Sequence, residues 1–163
     1  MLGLAEQLHL ECRMKIRPAN INDIPAITRC AESFFEYAKF ANDGLELDRV
    51  SFQKTVKWYL DNGIILLLIN DNKVVGGISG RIVPWDFNHS IKVALEFFYW
   101  VDEKYRGIDS VKLLMQFEDV CKLQGADYVC MISVNTHLED KVHKLYKKIG
   151  YEKVETFFRK RVS

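Results

Sequence analysis

The chain has 163 residues, 48% of them apolar and 28% charged, a balance that suits one compact globular domain whose core needs no disulfide or metal staple. Lys and Arg number 23 against 22 Asp and Glu, so the net charge is +1, which argues against a dedicated nucleic-acid-binding protein. The longest apolar run, Ile64 to Ile69, falls far short of the ~20 residues a membrane-spanning helix needs.

Lys15-Ile16-Arg17 alternates as a first strand should, and Pro18 ends it. Asn22-Asp23 then offers a helix cap with Pro25 in the first turn, and Ile27, Cys30, Ala31, Phe34 and Ala38 follow at helical spacing. A second helix is predicted after Asp48, with Phe52, Val56, Tyr59 and Leu60 on one face and Asn62-Gly63 as its stop. Ile64–Ile69 reads as a strand covered on both faces. Asn70-Asp71-Asn72 is a hairpin turn, and Lys73 to Val83 returns as a strand whose Gly76, Gly77 and Gly80 permit close backbone approach.

Pro84 to His89 is expected as a loop and Ile91 to Val101 as a long strand. Arg106-Gly107 breaks the pattern, and a helix runs to Gln124 with Leu113, Leu114, Phe117, Val120 and Cys121 inward and Gly125 as C-cap. Tyr128–Val134 is the next strand, Asp140–Ile149 a helix closed by Gly150, and Phe157–Val162 a last strand. The order βααβββαβαβ is a mixed α/β domain over residues 14–163, behind a short N-terminal extension of residues 1–13 that lacks the charge and apolar pattern of a signal peptide. Cys12, Cys30, Cys121 and Cys130 form no C-x-x-C pair and read as thiols of a reducing cytoplasm, and the four histidines show no metal-ligand spacing.

The segment from Phe97 to Asn135 carries the most chemistry. It reads as strand, turn around Arg106-Gly107, helix, glycine cap and strand, and a turn at a helix N-terminus is an anion cradle because its N–H groups have no partner inside the helix. Val101-Asp-Glu-Lys-Tyr-Arg-Gly107, Asn135 and Leu145-Tyr-Lys-Lys-Ile-Gly-Tyr151, with Ile16-Arg-Pro-Ala19 and Asp71-Asn-Lys-Val-Val-Gly76, stand in an order and spacing that resembles the GNAT superfamily of acyl-CoA-dependent N-acetyltransferases. The likeness spans Lys15 to Val162. It implies a three-layer fold with a mixed, mostly antiparallel sheet of six to seven strands flanked by about four helices.

The family motif places small residues after Arg-Gly. Here those positions fall on Asp109 and Val111, or on Ser110 if one residue is deleted, so the glycine-rich character ends at Gly107. A Cβ there crowds the backbone away from a pyrophosphate, and Asp109 either opposes the phosphates or caps the helix.

The resemblance further implies acetyl-CoA as co-substrate and no metal. The pantetheine arm would lie on the backbone around Tyr99 and Val101, and the pyrophosphate on Arg106, Gly107, Ile108, Asp109, Ser110 and Val111, with Asn135 in the later motif. Tyr146 matches the tyrosine that protonates the departing thiolate, and Glu96, a carboxylate in an apolar strand, is the candidate general base with a pKa expected to rise. Phe34, Phe35, Tyr37 and Phe40, with Trp85 as another wall, would border the amine acceptor through cation–π contacts or else pack as ordinary core.

The leading expectation is acetyl transfer to a primary amine by direct attack in a ternary complex, in the cytoplasm, without membrane or nucleic-acid partners and with a homodimer as one arrangement common in the family. The alternative is a GNAT-fold binding or regulatory module without catalysis, supported by the altered loop. A nucleic-acid-associated protein is the third reading and rests only on Arg159-Lys-Arg161.

Overall fold

The apolar run Ile64–Asn70 (β2) lies second in a sheet and is buried from Ile64 through Ile69, as a strand covered on both faces must be. The computed structural model describes residues 14–162, so the expected extension over 1–13 lies outside the described residues. The chain divides into two units, Met1–Met131 and Ile132–Ser163.

In the first unit, Lys15–Pro18 (β1) pairs antiparallel with β2. Ile24–Tyr37 (α1) and Arg49–Asn62 (α2) follow, the latter capped by Asp48, whose carboxylate accepts from the Ser51 N–H. Lys73–Trp85 (β3) returns from β2 through Asp71 and Asn72, both at positive φ (46° and 62°), a conformation these two side chains tolerate. Asn88–Val101 (β4) continues antiparallel, Ile108–Leu123 (α3) follows, and Tyr128–Cys130 (β5) pairs parallel with β4. The strand order is β1-β2-β3-β4-β5.

One face of this sheet packs Ile65, Leu67, Ile69, Val74, Phe98 and Trp100 against Ile27, Cys30, Val56 and Tyr59 of α1 and α2. The other face takes α3, whose Leu113, Leu114, Phe117 and Cys121 are fully buried. Gly80 is what lets β3, β4 and α3 close together, since a Cβ there would stand 2.7 Å from both the Leu95 carbonyl oxygen and the Phe117 ring. Cys30, Cys121 and Cys130 are free thiols, and burial pushes Cys30 to about 11 and Cys121 to about 12, which suits packing rather than nucleophilic chemistry.

Among the described residues the sheet has five strands, not six to seven, for two reasons. The parallel β4–β5 ladder lasts only from Val93 to Leu95, so β5 ends at Cys130 instead of Val134; β4 bulges just beyond, which breaks pairing. The stretch expected as a last strand, Phe157–Val162, has no strand structure: Phe157, Phe158 and Val162 are more than nine-tenths exposed, so no apolar face is buried to drive pairing. The expected loop Pro84–His89 is instead a tight hairpin, with β3 running to Trp85 and β4 starting at Asn88. Pro84 is tolerated because β2 pairs with β3 only as far as Gly80, leaving Pro84 on an open edge.

In the second unit, Glu139–Lys148 (α4) ends at Ile149 and Gly150, the glycine at φ 99°. Glu139 and Asp140 open this helix and Lys147 and Lys148 close it, charges that complement the helix dipole at both ends.

Arg17 and Asp23 tie β1 to the start of α1. Both guanidinium NH₂ groups donate to the carboxylate at 2.7 Å, and the Asn20 N–H donates to it at 2.8 Å. These bonds, the Arg17 ones foremost, hold the Asp23 carboxyl below its ordinary value. A depressed carboxylate contributes stability above its unfolded pKa, near 4, and loses it as pH falls through the folded value. Asp23→Asn should therefore cost about 2 kcal/mol at neutral pH, read as a lower urea midpoint, and the gap to wild type should close in acid. A gap that persists below about pH 2 would show that the pair's charge is not its source.

Candidate active site

The break in the β4 ladder sets the geometry. Ser79 pairs with Phe98 and Gly80 with Glu96, so Phe97 is the extra, bulged residue. Pairing with β5 ends at Leu95, and from Glu96 to Val101 the strand pairs with β3 alone. Glu96 stands opposite Gly80, on the face where Phe117 of α3 lies, and Phe97 turns to the other face, stacked on Tyr59 at 4.6 Å. Tyr99 donates its hydroxyl to the Ser110 carbonyl at 2.7 Å, pinning β4 to the first turn of α3. Its phenol is pushed well up, by burial first and by the Glu96 charge second. Glu96 and Tyr99 thus share one side of the strand.

The turn between β4 and α3 is built from Arg106 and Gly107. The Arg106 Nε donates to the Val101 carbonyl at 2.8 Å, and its guanidinium lies over Trp100 at 4.4 Å and Tyr37 at 5.0 Å. One arginine therefore folds the chain back on itself, and its Nε and the Val101 carbonyl are already engaged. Gly107 sits at φ 153°, ψ −143°, a conformation closed to side chains, with nothing within 4 Å of the Cβ it lacks. Its N–H donates to Ser110 Oγ at 3.3 Å. The N–H groups of Ile108, Asp109 and Ser110 have no acceptor inside the helix, while Val111 donates to the Gly107 carbonyl at 3.4 Å.

Asp109 does not cap α3. Its carboxylate pairs with Lys112 at 2.9 Å, which offsets the negative charge beside the first turn. An open glycine followed by three outward N–H groups fits a phosphate even without further glycines.

The aromatics expected around an acceptor pack against the sheet. Phe34 meets Phe98, Trp100 and Phe40 edge-on at 5.8–6.2 Å, Phe35 meets Phe40, and Tyr37 lies on Trp100. Trp85 is not their neighbour. It sits at the hairpin tip against Phe87, whereas Trp100 pairs with Gly77, roughly 26 Å along β3 at about 3.3 Å per residue. The hairpin extends straight away from the α1 end instead of looping back, so these residues form no common wall.

In the second unit, Asn135 lies exposed in a bend before α4, and Tyr146 donates its hydroxyl to the Ile132 carbonyl at 3.2 Å with its ring 5.4 Å from Tyr151. Sequence reasoning missed Trp100 as the platform for Arg106, Lys112 as the partner of Asp109, and the bulge at Phe97. Lys112 alone was legible, as a charge three residues after Asp109 on a helix.

Residues 28–151 match the model of the Acetyltransferase (GNAT) family, and the chain belongs to that family of acyltransferase enzymes. No curated protein matches it. Among solved structures, an aminoglycoside acetyltransferase from an uncultured soil metagenomic sample is similar at TM-score 0.70 and 15% identity, covering 93% of this chain and 99% of that one. A ribosomal-protein-alanine N-acetyltransferase from Brucella melitensis biovar Abortus gives TM-score 0.71 at 13% identity, over 91% and 98%. A predicted acetyltransferase of Clostridium acetobutylicum with acetyl-CoA gives 0.70 at 12% identity, over 92% and 97%. Identities this low establish the fold that they share.

Proposed function

We propose that this protein transfers an acetyl group from acetyl-CoA to a primary amine by direct attack, residues 14–163 acting as one catalytic domain. The observation that carries the reading is the opening of β4 beyond Leu95 beside a helix start at Gly107 with outward N–H groups. Backbone groups of β4 around Tyr99 and Val101 would hold the pantetheine arm, and Gly107 to Val111 the pyrophosphate, with Asn135 as a further cofactor-binding residue. Arg106 serves here by shaping the turn through Trp100 and Tyr37. Acetyl-CoA supplies the activated thioester.

The amine nitrogen attacks the thioester carbonyl, the C–N bond forms, the C–S bond breaks, and the sulfur leaves as thiolate. Glu96, directly or through water, takes the proton the amine must lose, and Tyr146 gives a proton to the thiolate. The buried, high-pKa Cys30 and Cys121 favour direct attack over an acyl-cysteine intermediate.

Calorimetric titration with acetyl-CoA, with desulfo-CoA and ADP as controls, should give a micromolar Kd; no binding at millimolar ligand would overturn the reading in favour of a non-catalytic module. Asp109→Gly should tighten acetyl-CoA binding by about two- to fivefold, the scale of one exposed charge at a helix N-terminus. Weaker binding would show that the Asp109–Lys112 pair positions the turn.

A further inference from the structure

On the face of β3 and β4 covered by α2 lies a cleft of about 460 Å³, lined by Lys54, Thr55, Trp58, Tyr59, Arg81 and Phe97. Its volume is that of a small-molecule site. Within its lining Tyr59 and Phe97 stack on each other, centroids 4.6 Å and planes 13° apart, and Phe52 stacks with Phe97 at 6.3 Å. Arg81 reaches over Trp58, 5.8 Å from the ring centre. No carboxylate lines the cleft, and among the described residues neither Lys54 nor Arg81 forms an ion pair. Beneath it, two residues before Arg81 on the same face of β3, the Ser79 hydroxyl is buried without a hydrogen-bond partner among the described residues. The cleft lies beside the bulge: Phe97 is the extra residue, just past the last β4–β5 rung, while Glu96 before it turns to the opposite face of the sheet.

Arg81, together with Lys54, whose charge also acts on the Asp48 carboxylate, lies beside this aromatic stack and favours an anion with an apolar body over polyamines and aminoglycosides. A guanidinium fork suits a carboxylate in particular. We propose that this cleft receives the acceptor, a small primary amine that also carries a carboxylate and a flat apolar group, with the carboxylate between Arg81 and Lys54 and the flat group against the Tyr59–Phe97 stack. The acceptor role rests on the acetyl-transfer reading; the preference for an anionic aromatic ligand rests on the cleft alone.

Tryptophan, tryptophanamide and tryptamine share an indole and a primary amine and differ in the carboxylate, and spermidine supplies a polycation. Calorimetry on the full chain should show tryptophan binding at least about tenfold tighter than tryptamine, the scale of a hydrogen-bonded charge pair. The gap should shrink in 1 M salt and vanish in Arg81→Gln. Equal or tighter binding of tryptamine or spermidine, no binding of any probe at millimolar concentration, or an Arg81→Gln protein that keeps the preference would each overturn the proposal. If that variant does not fold, the salt series on the wild type decides the same point. Acetyl-CoA titrated separately distinguishes the two readings. Selective tryptophan binding without acetyl-CoA binding keeps the anion cleft and removes its acceptor role. Acetyl-CoA binding without a carboxylate preference leaves acetyl transfer standing and overturns the anionic acceptor.

Discussion

Tyr146→Phe is expected to lower turnover by roughly 10²–10⁴-fold, the scale of losing a positioned general acid, while acetyl-CoA affinity stays nearly unchanged. The substitution removes one oxygen and keeps the ring, so the 5.4 Å contact with Tyr151 remains. It also deletes the bond to the Ile132 carbonyl, worth about 1 kcal/mol of stability. A loss of that size shifts Tm by only roughly 2–4 °C in a chain this long. A folded variant with slow turnover and intact acetyl-CoA binding therefore identifies a proton donor. Unchanged turnover would remove Tyr146 from the mechanism, and an equal loss of acetyl-CoA binding would assign the hydroxyl to cofactor positioning.

Local signals in the sequence were strong wherever one residue type has one physical answer. Ile64–Ile69 can only be a doubly covered strand, Asp71-Asn72 accept positive φ, and Gly125 and Gly150 close helices at φ 87° and 99°. What stayed hidden depends on register. The bulge at Phe97 decides which residues of β4 face α3 and which face α2, and nothing in Ala94-Leu-Glu-Phe-Phe-Tyr-Trp-Val101 marks an extra residue, since apolar side chains serve either face. The cleft was illegible for the same reason: its lining comes from α2, β3 and β4, and only the bulged register brings Phe97 onto Tyr59. Arg106 shows the limit of motif reading. The Arg-Gly pair marked the turn correctly, yet the guanidinium spends its reach on Trp100 and Tyr37, a partnership set by tertiary packing.

Phe117→Ala should cost about 3–5 kcal/mol, a large part of the 5–15 kcal/mol that separates folded from unfolded in most domains. Phe117 is fully buried on α3, and its ring occupies the room that Gly80 leaves by having no Cβ. Deleting the ring opens a cavity beneath the rung where Gly80 faces Glu96. The lowered urea midpoint should come with an unchanged m-value, and Tm should fall by roughly 6–20 °C. A cost below about 1.5 kcal/mol would mean that the layer collapses around the gap and that the ring is not a fixed spacer. Gly80→Ala probes the same contact from the other side, since its methyl would press on the Phe117 ring and on the Leu95 carbonyl, each at 2.7 Å. Shortening the ring in Gly80→Ala/Phe117→Leu relieves the first clash and leaves the second, so the double variant should recover only part of the Gly80→Ala loss. Full recovery would place all of the strain on Phe117, and no recovery would place it in the backbone of β4, at the bulge that positions Glu96.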